Sequence, residues 1–266
     1  MGTATVADRF SIGRTARLTR WNAVLLTRNR LAFVYAVLLP LLPLLLLLTG
    51  DRGDPSAGAA AIVTMWLVVG LFPAYYNVLS QFVSRRDELV LKRMRTGQAR
   101  DSELLLSIAL PGAISALALT AAAIPIAAAL EQALPVNPML YAAMAVMVVV
   151  MFAAFAYWTA AWTKNAEAAQ LTSMPLIILA SVGPLVGTIS DMPDRLREIL
   201  SLTPGAAISD LVRVGWFGLE RPGATESTLA FAETWGQAAE PHAVIAAWTW
   251  VAVALARRSM RWEPRA

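Results

Sequence analysis

Long uncharged stretches alternate with short charged segments along this chain. An α-helix needs roughly 20 apolar residues to cross a hydrocarbon core of about 30 Å. Five of the uncharged stretches are long enough; the sixth has sixteen residues and needs Trp235–Ala239 or Ser259–Trp262 to extend it at the membrane interfaces. The pattern predicts an all-α polytopic membrane protein with six transmembrane helices. The stretches without Asp, Glu, Lys or Arg are Leu31–Thr49, Pro55–Ser84, Leu104–Leu130, Gln132–Thr163, Ala168–Ser190 and Pro241–Ala256.

The segment before the first stretch, residues 1–30, has a different pattern. Within it, Phe10–Arg30 places Leu18, Trp21 and Leu25 on one helical stripe, which is typical of a helix lying along a membrane surface. Arg14 falls on the same stripe, so we expect its guanidinium to reach back to water. The pattern predicts an N-terminal interfacial helix on the cytoplasmic side.

Residues 191–240, between the fifth and sixth stretches, are also amphipathic. Two short apolar patches are separated here by Pro204-Gly205, and we interpret them as helices that rest on or dip into the outer leaflet. The patches consist of Leu196, Ile199 and Leu200, then Ile208, Leu211 and Val212.

Composition agrees with a membrane protein and excludes several kinds of site. The chain is 58% hydrophobic and only 15% charged, with a mean hydropathy of +0.58, whereas a soluble domain has about a quarter of its residues charged. The absence of cysteine excludes disulfides, iron–sulfur clusters and a thiol nucleophile, and the single histidine leaves no histidine-based metal site. The net charge of +4 reflects basic loops rather than a nucleic-acid surface, so residues 1–266 are interpreted as one membrane domain.

The distribution of Lys and Arg predicts the orientation. With the N-terminus in the cytoplasm, seventeen of the 22 basic residues lie in cytoplasmic segments and five in outer segments. Cytoplasmic loops of membrane proteins carry an excess of Lys and Arg, so both termini are expected in the cytoplasm. This count also supports the sixth helix, because five spans would place the Arg257-Arg258 pair outside.

The most informative charged segment is residues 84–103, between the second and third stretches. Arg85–Glu103 carries ten charges in nineteen residues, six of them basic, so we expect it in water or at a headgroup surface. Ser84 with Asp87 forms a capping-box-like start, and Gly97 is placed to end the helix. Such a helix would offer a partner protein a short apolar patch; the alternative is a solvated basic loop. The patch consists of Val90, Leu91 and Met94.

Several kinds of chemistry have no sequence signature here. The chain lacks a GxxxxGK[ST] phosphate loop, HExxH, GxSxG and EF-hand-like loops, and no carboxylate lies inside the uncharged stretches. It is therefore not expected to hydrolyse ATP through such a loop, and a proton-driven pump is disfavoured because proton relays place acids inside the spans. A secondary carrier or channel, and a membrane-embedded enzyme or assembly factor, remain as alternatives to a conduit with a docking surface.

The order of these segments resembles the permease subunit of type-2 ATP-binding-cassette exporters, a group that includes bacterial drug, antibiotic, lipid and polysaccharide exporters. The likeness covers nearly the whole chain, and its most specific part is RRDELVLKRMRTG, followed by ELLLSIALPG at the start of span three. Val90 departs from the pattern, because many relatives carry a small residue there. The positions that match are Glu88, Leu91, Lys92, Arg93, Thr96 and Gly97.

The resemblance implies a non-catalytic permease in the bacterial cell membrane. Two copies, or this chain with a paralogue, would associate with two ATP-binding-cassette ATPase subunits, which bind the ATP and Mg²⁺; this chain would bind no cofactor. The 84–103 segment would be the coupling helix that enters a groove on each ATPase. Glu167, in the loop between spans four and five, is a second candidate contact, although a bare polar turn is the alternative there. The expected coupling residues are Asp87, Glu88, Leu91, Lys92, Arg93 and Glu167.

The resemblance further implies that spans two and five line the substrate path at the dimer centre. The alternative for each polar residue there is a hydrogen bond between helices. The cargo is expected to be amphipathic or hydrophobic. Gly183 and Gly187 form a GxxxG spacing that would suit a dimer contact or, alternatively, a proline-associated kink. The path candidates are Phe72, Tyr76, Asn77, Ser80, Gln81, Gln170 and Ser173.

Overall fold

The computed structural model describes residues 10–48, 52–96, 99–187, 189, 192–220, 229–260 and 262. It is 83% helical, and the described residues contain no strand. Six helices are long and apolar enough to cross a membrane, which confirms the predicted all-α polytopic class. In chain order the helices are α1 Ile12–Arg28, α2 Arg30–Leu48, α3 Pro55–Asp87, α4 Val90–Arg95, α5 Asp101–Ala129, α6 Pro138–Ala160, α7 Ala168–Val186, α8 Asp194–Ser201, α9 Pro204–Phe217, α10 Phe231–Gln237 and α11 Ala239–Ser259.

The spans α2, α3, α5, α6, α7 and α11 form a bundle whose two ends are marked by polar contacts between loops. At one end, Arg52 pairs with Glu131 at 2.8 Å and joins the α2–α3 and α5–α6 connections. At the other end, the side chain of Arg86 reaches the α6–α7 loop. We call the end with the Arg52–Glu131 pair the α9 end and the end with Arg86 the α4 end, after the helices that lie there.

The sixth span is longer than its uncharged stretch. α11 runs from Ala239 to Ser259, so Ala239 and Glu240 at its start and Arg257, Arg258 and Ser259 at its end extend the sixteen uncharged residues to 21. Trp235 does not contribute to it, because it lies in the separate helix α10. The charged ends lie where a span meets polar surroundings.

Three spans depart from regular α-helix near prolines, and one of them, α7, ends in a 3-10 segment at Gly183–Gly187 that contains Pro184. α2 changes to π-helix over Val34–Leu38 and to 3-10 helix over Leu39–Leu48, which contains Pro43. α3 is interrupted by a π-helical segment at Gly70–Tyr76 that contains Pro73. Proline has no backbone N–H and crowds the preceding turn, so the local hydrogen-bond pattern must change around it.

The core lies where α3, α5, α6 and α9 pack together. Trp66, Tyr141 and Trp216, from α3, α6 and α9, make edge-to-face contacts with ring centroids 5.6 and 5.0 Å apart. By contrast, α2, α7 and α11 are mostly exposed on the surface of the bundle. Their apolar surfaces are therefore available to lipid or to another chain.

The helix predicted at Phe10–Arg30 is present as α1, which ends at Arg28 because Asn29 starts α2. α1 packs on α5 through Thr15, Asn22 and Leu26. The predicted stripe points away from the protein: Trp21 is 69% exposed. α1 therefore has one face on the bundle and an apolar face free to meet lipid.

The two helices predicted between α7 and α11 are present as α8 and α9, but α9 is not at the surface. α8 is exposed, with Leu196 and Ile199 on its surface, but nearly every residue of α9 is buried. α9 packs against α3, α6, α7 and α11, so it is inserted in the bundle rather than resting on it. A third helix, α10, was not predicted. It is joined to the start of α6 by a hydrogen bond of 2.9 Å that Asn137 Nδ2 donates to Thr234 Oγ1.

Candidate functional site

The junction between α3 and α4 is a sharp break that sequence analysis placed wrongly. We predicted a helix start at Ser84, but α3 continues through Ser84 to Asp87, and the Ser84 carbonyl accepts from the Glu88 N–H. The break falls at Leu89, whose φ of 59° lies in the left-handed region, and α4 begins at Val90. The prediction failed because the end of the uncharged stretch is not the end of the helix. Gly97, the predicted stop, lies outside the described residues.

The side chains of the 84–103 segment divide into an exposed and a buried set. Glu88, Lys92 and Arg93 are exposed, and Asp87 is half-buried. Leu91 is 0% exposed and belongs to the hydrophobic core, so its prediction as a contact with a partner is wrong. Of the apolar patch expected to enter a groove, Leu91 instead anchors α4 to its own bundle, while Val90 and Met94 are half-buried. Glu167, the candidate in the α6–α7 loop, is exposed.

Arg86 fixes the α3–α4 junction to the end of α6. Its side chain is fully buried, and its guanidinium donates to the carbonyls of Ala160 at 2.7 Å, Thr163 at 2.5 Å and Lys164 at 3.1 Å. The last carbonyls of a helix have no hydrogen-bond partner within the helix and carry partial negative charge. A guanidinium at this end supplies hydrogen-bond donors and a compensating positive charge. This bond set also brings the α4 segment beside the loop that holds Glu167.

Glu103 fixes the other side of the segment to α1. Its carboxylate is 0% exposed and accepts from Arg14 Nε at 3.0 Å and Nη2 at 2.8 Å, with further bonds from the Ser11 N–H at 2.6 Å and the Arg100 N–H at 3.2 Å. Asn22 adds a bond to the Ser107 carbonyl at 2.6 Å. The paired Arg14 corrects the expectation that it reaches water.

Sequence reasoning missed both anchors, because it took every charge between two spans to be solvated. One signal was available for Glu103. It lies three residues after Arg100, where a glutamate can accept from the backbone at a helix start. The signal for Arg86 is weaker: a basic doublet directly after a span, near the C-terminal end of a neighbouring helix.

The predicted path residues of α3 form a polar strip that leads from the α4 end into the span. Gln81 Nε2 donates to Asn77 Oδ1 at 2.8 Å, and Arg85 donates to Gln81 Oε1 at 3.1 Å. Asn77 is buried, and its Nδ2 has no hydrogen-bond partner in the described part of the chain. Ser80, on the same helix, is half-buried.

The aromatic path candidates pack against neighbouring helices. Phe72 stacks on Tyr35 of α2, with ring centroids 5.8 Å apart. Tyr76 is half-buried against the core. These contacts place Phe72 on the side of α3 that faces α2.

The candidates on α7 have different surroundings. Gln170 is exposed, together with Leu171, Met174 and Ile178 on one face of the helix. Ser173 is buried and donates to the Gln170 carbonyl at 2.8 Å.

Gly183 makes a close approach within its own chain. A Cβ at this position would lie 2.1 Å from the Ala206 nitrogen and 2.3 Å from Thr203 Oγ1, and a Cβ on Gly205 would lie 1.7 Å from the Ala180 oxygen. The two glycines therefore let α7 and the start of α9 touch, and the 3-10 segment at Gly183–Gly187 fits the proline-associated alternative; the dimer contact stays a prediction. The surroundings of Gly187 lie outside the described residues.

The larger of two described cavities, about 680 Å³, opens at the α9 end between α3, α7, α8 and α9. We call it the α9-end cavity. It lies beside the α9-end parts of α3 and α7, the two spans expected to line a path, yet none of the predicted path residues lines it. Its lining is Ser56, Ala59, Ala60, Val63, Thr64, Gly183, Pro184, Leu185, Val186, Asp194, Arg197, Glu198, Ser201, Ala206, Ser209, Asp210 and Arg213.

Asp210 and Arg213 have perturbed ionisation at this cavity. Burial raises the pKa of the Asp210 carboxyl to about 6, Arg213 opposes the rise and Glu240 adds to it. Burial lowers the pKa of Arg213, and Asp210 opposes that change. Among the described residues, no group of three or more His, Cys, Asp or Glu could hold a metal ion.

Comparison with known proteins gives one family. The sequence profile described as "ABC-2 family transporter protein" matches residues 41–255, from within α2 to within α11. No curated protein matches the chain.

Proposed function

Because this chain belongs to the ABC-2 family of transporter proteins, we propose that it is the membrane subunit of an ATP-driven exporter that docks on separate ATPase subunits through α4. The family supports an ABC exporter permease and a partnership with an ATPase. The docking site, the second permease copy or paralogue and the amphipathic cargo are our proposal. So is the orientation in a bacterial cell membrane with both termini in the cytoplasm.

The observation that carries the proposal is the exposed charge on α4 and directly before it. Glu88, Lys92 and Arg93 are exposed at the end of the bundle, while Leu91 is fully buried beneath them. A protein partner can therefore contact the charged face of α4 without disturbing the core of the bundle. Charge complementarity of this kind sets the register and specificity of an interface.

The two buried anchors argue against a merely solvated loop. Burying a guanidinium and a carboxylate is costly unless both are well hydrogen-bonded, and a loop whose only role is to remain in water has no use for such bonds. Arg86 holds the start of the segment to α6, and the Glu103–Arg14 pair holds its end to α1. The two described ends of the connection between spans two and three are therefore each tied to a neighbouring helix, the first to α6 and the second to α1.

This arrangement suggests how ATP hydrolysis would move the spans. ATP and Mg²⁺ would be bound by the partner, and closure of the ATPase subunits would displace α4 together with the exposed Glu167 loop beside it. Because α4 follows directly on α3, which is tied to α6 through Arg86, its displacement would change the tilt of the spans as rigid bodies, which is a known form of transport transition. The polar strip Asn77–Gln81–Arg85 would offer hydrogen bonds to cargo on the α4 side.

The experiment compares two charge reversals at opposite ends of the bundle. Glu88→Arg is expected to abolish co-purification of the ATPase and export, while membrane insertion stays intact. Glu131→Arg is the matched control, because this glutamate is exposed at the α9 end in a surface pair. Normal export by Glu88→Arg would sink the docking assignment. Transport by the permease alone in vesicles, without ATP, would favour the secondary carrier or channel instead.

A further inference from the structure

The α9-end cavity combines an apolar wall with a set of charged groups. Ala59, Val63, Pro184 and Val186 line it from the α9-end parts of α3 and α7. The charged groups come from α8 and α9: Asp194, Arg197, Glu198, Asp210 and Arg213. Ligand pockets in proteins are mostly apolar with a few placed polar groups and occupy about 300 to 1,000 Å³, so the size and lining suit a small amphipathic molecule.

We infer that the α9-end cavity binds a cationic amphipathic molecule, with the Asp210 carboxylate as its counter-ion. The inference rests on the proposed transport function and names the class of cargo. The apolar part of the ligand would lie against α3 and α7, and its positive group would face α9.

The sign of the ligand follows from the charges around Asp210. In the α9-end cavity three carboxylates face two guanidinium groups. Asp210 and Arg213 also line a second cavity of about 230 Å³, which adds Glu220 and Glu240 and no further basic residue. Asp210 is therefore shared between two cavities in which, among the residues that the structure describes, carboxylates outnumber cations. An anionic amphipath would meet net repulsion there, and a cation would be attracted.

The position of Asp210 also suits a counter-ion. It is half-buried on α9, a helix packed among α3, α6, α7 and α11, so its position is fixed by the bundle rather than by a loop. A charge in a partly dehydrated site interacts more strongly with an opposite charge than it would in bulk water.

The ionisation of Asp210 predicts how binding depends on pH. Burial raises its pKa to about 6, so it is ionised at pH 7.5 and mostly neutral at pH 5. Binding of a permanent cation should therefore weaken as pH falls through about 6. Within the described part of the chain, the charged groups that line the two cavities with it are Arg213 on α9, Asp194, Arg197 and Glu198 on α8, Glu220 after α9, and Glu240 on α11.

The test uses two ions of nearly the same shape and opposite charge. Tetraphenylphosphonium and tetraphenylborate are each titrated into the purified full-length chain in uncharged detergent, with no ATPase present. Tetraphenylphosphonium is expected to bind, and Asp210→Asn to weaken its Kd by about tenfold or more, the equivalent of one lost close charge interaction. Glu131→Gln, at an exposed carboxylate at the same end, should leave the Kd unchanged.

Two further measurements keep the inference testable if Asp210→Asn does not fold. Wild-type binding of tetraphenylphosphonium at pH 7.5 and pH 5 should differ by severalfold, with tetraphenylborate showing no such loss. Ala60→Phe, which fills the cavity from α3, should also weaken binding. Equal binding of the two ions, or a pH-independent Kd for the cation, would overturn the inference. Because no ATPase is involved, cation binding that survives Glu88→Arg separates this site from the docking proposal.

Discussion

Arg86→Met tests whether the α3–α4 junction is held from inside the bundle. The change keeps an apolar stem in the buried space and removes the three bonds that the guanidinium donates to the carbonyls of Ala160, Thr163 and Lys164. Each hydrogen bond to a charged group is worth about 1.5 to 3 kcal/mol. Removing the charge also removes the cost of burying it, so the net loss is smaller than the sum of the bonds. We expect the folded state to lose about 3 kcal/mol.

The neighbouring Arg85→Met is the matched control. It removes the same charge one residue away, but Arg85 is only half-buried and donates to the side chain of Gln81 at 3.1 Å. Its loss should be about 1 kcal/mol or less. For a chain of this size 1 kcal/mol corresponds to roughly 2 to 4 °C in Tm, so Arg86→Met should melt roughly 6 to 12 °C below wild type.

The assay is the apparent Tm of purified variants in one detergent at one scan rate, because membrane proteins often unfold irreversibly. Co-purification of the ATPase is measured on the same samples. If Arg86→Met and Arg85→Met melt within about 2 °C of each other, the buried anchor contributes little, and the reasoning that the α3–α4 junction is held from inside the bundle fails.

Two further predictions concern the contacts between helices. Gly205→Ala should destabilise the fold by about 1 to 3 kcal/mol, because the new Cβ would lie 1.7 Å from the Ala180 carbonyl oxygen. The control, Gly236→Ala, should be neutral or slightly stabilising, because a Cβ at Gly236 would have nothing within 4 Å. Equal Tm values for the two variants would contradict the close approach of α7 and α9. Glu103→Gln should lower Tm because it leaves the Arg14 guanidinium without its carboxylate partner. Adding Arg14→Gln to this variant should recover part of the loss. If the changes in unfolding free energy of the two single variants simply add up in the double variant, the pair does not act as a unit.

The spans could be predicted from the sequence because a membrane imposes a length and excludes charge. α5 and α7 start and end within four residues of their uncharged stretches, and α6 ends three residues before the end of its own. The same rule could not locate the end of α3, since a helix continues as long as its backbone bonds do, and it passes three charged residues after Ser84. Hydropathy sets where lipid ends, and it does not set where a helix ends.

The candidate site was predicted less completely because its decisive contacts are distant in sequence. Glu103 meets Arg14, 89 residues earlier, and Arg86 meets carbonyls more than 70 residues later. The pattern of charged residues gives the net charge of a segment, but it does not show which of its side chains turn toward the core. The burial of Leu91 could not be predicted from its residue type, because its neighbours Val90 and Met94 are also apolar. The α9-end cavity escaped prediction for the same reason: its walls come from four helices.

The π-helical segment in the middle of α3 determines what the insertion or deletion of a residue in this helix would do. A π-helical turn holds an extra residue relative to an α-helical turn, so the two halves of α3 are out of phase with a continuous α-helix. The half before Gly70 turns Ala59 and Val63 to the cavity, and the half after Tyr76 carries the strip from Asn77 to Arg85. Deleting one residue within Gly70–Tyr76 would rotate the later half by about 100° relative to the earlier one. Arg86 would then turn away from the end of α6, so an insertion or deletion here would cost far more than an ordinary substitution at the same position.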